Sequence, residues 1–161
     1  RMAVFRYKMQ GILDIKEKLE DKAKQEFAEA NMRLEAEKQK LSELQKRRDY
    51  YMMEGVKLRM ELIDVRKIRE NKMAVLQMDE FIREQRKEVN KAAAAVEKAR
   101  AALQEVMQER KAHEKLKENA FQDFLKEEQA AESRAIDELT TYTHGQKLQG
   151  QKLMEEFRHG T

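Results

Sequence analysis

The chain of 161 residues has no proline, no cysteine, no tryptophan and only five glycines. Each absence removes a class of structure. Sheets and tight turns need Gly, Pro, Asn and Asp as punctuation, yet between Ile12 and Tyr142 the only glycine is Gly55. Without cysteine there is no disulfide framework to consider. No apolar run approaches the roughly 20 residues needed to cross a bilayer, and no charged-then-apolar leader marks a signal peptide. A cytoplasmic protein is the default expectation, with Met2, which follows Arg1, as the expected start.

What is present in excess is charge. Charged residues make up 40% of the chain, against roughly 25% in an ordinary globular domain, which matches long-helix and coiled-coil usage. The 34 Lys and Arg nearly balance the 31 Asp and Glu, for a net charge of +3. The signs alternate: Asp14–Lys18, Glu20–Lys24 and Glu43–Arg47 are acid-before-base pairs four apart, each worth a few tenths of a kcal/mol to a solvated helix. A nucleic-acid binder would gather its cations on one face or in one block. One asymmetry stands out, an acidic stretch from Phe121 to Thr140 with six acids and two bases.

Steps of three and four yield two apolar seams. The first holds Ala23, Phe27, Ala30, Leu34, Glu37, Leu41, Leu44, Arg48 and Tyr51; the second holds Met78, Ile82, Gln85, Val89, Ala92, Val96, Ala99, Leu103 and Val106. Three-four alternation over about four heptads is the left-handed coiled-coil pattern. Ahead of Phe27 the apolar spacing changes to Ile12, Ile15, Leu19 and Ala23, which predicts a stutter. Two seams predict an all-α fold, an antiparallel two-helix coiled-coil hairpin, with Phe27 facing Leu103, Leu34 facing Val96, Leu41 facing Val89 and Leu44 facing Gln85. The same register brings Phe5 opposite Phe124, Tyr7 near Phe121 and Tyr50 near Phe81. A heptad shift would preserve the seam, so these aromatic pairs carry the choice of register.

The expected boundaries are helix one over about 5–54, a connector over about 55–71 and helix two over about 72–140, within a single domain over 1–144; the connector reads either as a short helix or as the extended start of helix two. Gly55 is placed as a C-cap and Asn71 as the cap of the restart. A helix of ~50 residues is roughly 75 Å long, so the expected object is a rod. The tail from 145 to 161 loses periodicity, gathers three of the glycines and is expected to fray. The small-residue run from Lys91 to Ala102 reads as close helix–helix packing opposite Phe27 and Leu34, or as a narrow waist for a partner.

No chemistry is apparent. None of His113, His144 and His159 has a second histidine four residues away, as a zincin helix would, and the glycines do not build a phosphate-binding loop. Carboxylates abound, but on a solvated rod nothing separates their pKa values as acid–base catalysis requires. The expectation is a non-enzyme with no cofactor and no metal. What remains is surface. Met52, Met53, Met60, Met73 and Met78, with Tyr50, Tyr51 and Phe81, load one end with soft and aromatic side chains suited to adaptable contacts. They serve either as a binding face or as the packing of the hairpin tip. Phe5, Tyr7, Phe121 and Phe124 pose the same choice at the other end.

Phe5, Arg6, Tyr7, Leu13, Asp14, Ile15, Lys16 and Glu17 give an aromatic–Arg–aromatic start followed by an apolar-Leu-Asp-apolar-basic-Glu turn. That opening resembles the N-terminal signature of the FliJ family, small coiled-coil components of the bacterial flagellar export apparatus. "MDEFIREQRKEV" resembles the family's segment after the hairpin loop, and "ERKAHEKLKENAFQDFLKEEQAAESRAIDEL" its C-terminal helix, so the resemblance covers residues 4 to about 140. It departs from the family pattern in a longer connector and in Gln85, where an apolar residue is expected.

The resemblance implies a stalk like the central subunit of rotary ATPases, serving flagellar protein export and hence motility and chemotaxis. Its implied partners are the flagellar export ATPase hexamer, the cytoplasmic domain of an export-gate membrane protein, and export chaperones. Carried onto this sequence, it implies an ATPase-ring contact at Phe5, Arg6, Tyr7, Phe121 and Phe124, and an export-gate contact at Tyr50, Tyr51 and Phe81. The location implied is the cytoplasm, peripheral to the inner face of the cell membrane at the flagellar base. Two readings from other classes stand beside it. One is a coiled-coil arm binding RNA through Arg66, Lys67, Arg69 and Lys72; the other is a structural spacer that homodimerises.

Overall fold

Without proline, backbone hydrogen bonds can run from residue to residue uninterrupted. The computed structural model describes residues 3–160 and contains two helices, α1 (Gln10–Met60) and α2 (Val65–His159). The expected start, Met2, lies outside the described residues. Cross-helix contacts pair Lys16 with Glu109, Phe27 with Arg100, Glu37 with Gln85, Arg48 with Asp79 and Tyr51 with Asn71. Numbers rise along one helix as they fall along the other. The fold is therefore the expected antiparallel two-helix hairpin.

Solvent exposure shows the seam directly. Along α1 the covered positions run Leu13, Lys16, Glu20, Ala23, Phe27, Ala30, Leu34, Glu37, Leu41, Leu44, Arg48 and Tyr51, alternating steps of three and four without a break. On α2 the same alternation runs from Ile68 through Met78, Val96 and Val106 to Phe124. All eighteen positions assigned to the two seams are covered or partly covered. The predicted stutter is absent. Ile12, Ile15 and Leu19 face solvent, at 41%, 58% and 43% exposure, while Leu13 is buried at 2%. The unbroken heptad carries Lys16 and Glu20 on the seam instead, because each meets an opposite charge across it.

Four boundaries differ from the sequence expectation. Helix one starts at Gln10, not 5: the Tyr7 carbonyl accepts the Gln10 N–H at 3.1 Å, and the Met9 carbonyl accepts those of Ile12 and Leu13. It ends at Met60, not 54. The connector shrinks from 55–71 to the four residues 61–64, and helix two starts at Val65. The physical reason lies at Asp64, whose carboxylate accepts the backbone N–H groups of Arg66 and Lys67 at 3.1 and 3.4 Å. That is an N-cap, and it also places negative charge at the positive end of the helix dipole. Gly55 and Asn71 are consequently interior helical residues and not caps, and no described glycine has a positive φ.

The tail is helical to His159 where fraying was expected. Its glycines break nothing, and the hydroxyls of Thr140, Thr141 and Thr143 each donate to the carbonyl four residues back, at 2.8–2.9 Å. From Gln129 to Gly160 every residue is exposed.

Packing divides the chain into two units, in place of one domain over 1–144. The first is Asp14–Arg110, with the turn and most of the seam; the second joins the stretch up to Leu13 to the stretch from Lys111 onward. In the first unit Ala23, Met78, Ile82, Ala92 and Val96 form the buried core, together with Glu20 and Glu37. Ala92 and Ala99 lie on the covered stripe of α2, and the Phe27 ring lies under the Arg100 guanidinium at 5.2 Å from its centroid.

Candidate functional site

Three groups of side chains rise above the solvated background. In the unit with the N-terminal stretch, residues 3–7 precede the helix and lay Phe5 against α2. Its ring meets Phe121 edge-on at 5.2 Å and 70°, and Phe124 at 5.5 Å and 51°. Phe121 and Phe124 are themselves 6.4 Å apart and near-parallel. Such pairs add about 0.5–1.5 kcal/mol each beyond area burial, so a segment without helical hydrogen bonds is held in place. The expected Phe5–Phe124 contact is present, and Phe121 packs on Phe5. Arg6 is exposed; Tyr7 is half-buried, and its hydroxyl has no hydrogen-bond partner among the described residues. A shallow groove beside Phe5, Tyr7 and Phe124 is also lined by Asp123, Glu127, Arg6 and Lys8. His113 lies half-buried on the covered stripe of α2, with Nδ1 likewise unpartnered among the described residues.

At the turn end of the other unit, Tyr50 and Tyr51 meet edge-on at 5.6 Å. Tyr51 is half-buried, whereas Tyr50 and Phe81 expose 61% and 44% of their surface. The methionines expected here divide by phase: Met78 is buried on the seam, while Met52, Met53, Met60 and Met73 are exposed.

The third group was legible only as anomalies. Glu37, Arg48 and Gln85 occupy seam positions that an apolar residue would suit better. The Gln85 amide donates to the Glu37 carbonyl at 2.9 Å and to its carboxylate at 2.6 Å. Arg48 pairs with Asp79, and Arg110 with Glu20. A slip by one heptad would preserve apolar matching yet strip these groups of their partners, so the polar pairs define the register. Gln85, an apparent departure, is one of the residues that does so.

These contacts also set titration. Hydrogen bonding from Arg110 holds the Glu20 carboxyl below the usual carboxylate range, against the opposing effect of burial. Donation from the Gln85 amide does the same for Glu37, with Lys40 assisting. A carboxyl whose folded-state pKa is depressed contributes stability above its unfolded value and loses it as pH falls through the folded one. The melting temperature is therefore expected to hold from neutrality to about pH 5 and to fall below that. In a Glu20→Gln, Glu37→Gln double variant the acid slope should be shallower, measured by circular dichroism melts from pH 7 to 3; an unchanged slope would assign acid sensitivity elsewhere.

Among the described residues no group of His, Asp and Glu is arranged to hold a metal ion, and no helix is long and apolar enough to cross a membrane. A family model described as Flagellar FliJ protein matches residues 5–149. Among solved structures, a Chlamydia trachomatis protein described as a YscO homolog is similar with a TM-score of 0.70 and 26% sequence identity, over 91% of this chain and 99% of that one. No curated protein matches the chain.

Proposed function

The chain belongs to the FliJ family of flagellar proteins, a component of flagellar, type III protein export, and on that premise we propose that it is the non-enzymatic stalk of the export ATPase. In this reading the segment with Phe5, Arg6 and Tyr7, braced by Phe121 and Phe124, enters the central opening of the ATPase hexamer and promotes its assembly and turnover. The turn end, through Tyr50, Tyr51 and Phe81, meets the cytoplasmic domain of an export-gate membrane protein. Export chaperones are further partners, and the protein works in the cytoplasm at the inner face of the membrane.

The observation that carries this reading is the aromatic cluster. It uses the residues of the family-like opening, and it fixes a non-helical segment against α2 by ring contacts at 5.2 and 5.5 Å. A segment so held is ordered before a partner arrives, which lowers the entropy cost of docking.

The test is to mix the purified chain with a flagellar export ATPase and follow hexamer formation and ATP hydrolysis. Stimulation is expected, with its half-saturating concentration raised on the order of tenfold by Phe5→Ala or Phe124→Ala, as for an interface anchor. Absence of stimulation, or stimulation indifferent to both substitutions, would overturn the stalk assignment.

A further inference from the structure

We propose that the turn between α1 and α2 is itself a lipid anchor, inserting into the headgroup region of an anionic bilayer. It goes beyond the export reading and rests on the turn alone. Leu62 is 98% exposed, the most exposed large hydrophobic among the described residues, and Met60, Ile63 and Val65 expose 82%, 69% and 64%. Four aliphatic side chains within six residues thus crown the turn, with nothing from the hairpin folded over them.

The charges around them lean positive, six bases against Glu54, Glu61, Asp64 and Glu70. Lys57 and Arg59 occupy the last turn of α1, and Arg66, Lys67, Arg69 and Lys72 the first turns of α2. Lys57 pairs with Glu54 and Arg66 with Glu70, while Arg59, Lys67, Arg69 and Lys72 have no ion pair among the described residues. Of the two acids in the turn, Asp64 is occupied in capping α2, which leaves Glu61 to oppose the cations. An apolar crown ringed by unpaired cations is the pattern of interfacial lipid binding: aliphatic side chains enter the acyl boundary while lysine and arginine stay with anionic headgroups.

The same cations would attract RNA phosphates, but the crown favours lipid. Single-stranded nucleic acid is held on aromatic platforms, and leucine, isoleucine and methionine offer none. A protein partner would need a complementary hollow for a convex turn, whereas a fluid bilayer yields around it.

The full chain contains no tryptophan, so Leu62→Trp provides a sole tryptophan at the crown, excited selectively over the four tyrosines. With vesicles of phosphatidylcholine and phosphatidylglycerol, its emission should shift to the blue and the protein should co-sediment; vesicles of phosphatidylcholine alone should bind far less. In the parent chain, Leu62→Asp with Ile63→Asp should weaken co-sedimentation at least tenfold. Arg59→Gln, Lys67→Gln and Arg69→Gln should cost about fivefold each, and Glu61→Gln should tighten binding. Helical melting and ATPase stimulation should be unaffected by these turn variants, which separates this proposal from the stalk assignment. Three results would overturn it: no co-sedimentation with anionic vesicles; binding indifferent to Leu62→Asp with Ile63→Asp; or single-stranded RNA binding that uses the cations and displaces the vesicles.

Discussion

Val96→Asp is expected to lower the melting temperature of the hairpin by roughly 10 °C, the effect of about 3 kcal/mol on a chain of this size. Val96 is 4% exposed, between Ala92 and Ala99 on the covered stripe of α2. Its neighbours on that stripe are methyl groups that donate no hydrogen bond. Arg100, one turn further on, already covers the Phe27 ring, and drawing it to the new carboxylate would uncover that ring. Glu20 and Glu37 are the buried carboxylates of the seam. Those carboxylates are tolerated on the seam because Arg110 and Gln85 reach them; an aspartate at 96, flanked on its own stripe by alanines, would bear the desolvation cost. Lys98→Gln, two residues away on the exposed face, should change stability by less than about 0.5 kcal/mol. Thermal melts of both variants, with spin labels at 16 and 109 reporting helix pairing, are the check. Equal melting of both variants would mean that the seam does not hold the helices together.

The contrast explains what the sequence could reveal about this fold. From Phe27 to Tyr51 and from Met78 to Val106 the three-four alternation repeats often enough that no other phase fits, and the structure covers those positions. Ahead of Phe27 the competing phases are close. Ile12, Ile15 and Leu19 look like the better seam because they are more apolar than Leu13, Lys16 and Glu20. The choice is made by groups some 90 residues away: Glu109 for Lys16 and Arg110 for Glu20. Local hydrophobicity holds no record of such a distant charge. The helix limits failed for a different reason. Gly55 and Asn71 are good capping residues in isolation, but Asp64 is a better N-cap for a hairpin that has to reverse within four residues. The aromatic cluster was half legible: Phe5 against Phe124 was expected and is present, but from a register that put Gln85 on Leu44, whereas Gln85 meets Glu37; the non-helical path that also brings Phe5 onto Phe121 depends on backbone geometry before Gln10.

Gly55 and Asn71 do matter, as a contact. Gly55 is buried inside α1, and a Cβ placed there would come within 2.5 Å of the Asn71 side-chain oxygen. The Asn71 amide meanwhile donates to the Tyr51 carbonyl at 2.8 Å, so the asparagine is pinned in the space that the missing side chain leaves. Alanine in a helix interior is ordinarily better than glycine by up to about 1 kcal/mol. Here Gly55→Ala has to push the asparagine away, losing a hydrogen bond of about 1 kcal/mol and stranding a half-buried amide. The expected result is no gain or a net loss in the parent chain. With Asn71→Ala already made, the obstruction is gone and Gly55→Ala should stabilise by nearly its full propensity, a reversal of sign with a coupling of roughly 1–2 kcal/mol. Gly55→Leu leaves no such escape: it forces the helices apart next to the turn and should destabilise by about 3 kcal/mol. Urea unfolding of the four members of the alanine cycle, with the leucine variant beside them, reads these differences. Additive alanine effects would mean that the glycine is there by chance, and that the close approach of the helices beside Asn71 does not hold the turn end in register.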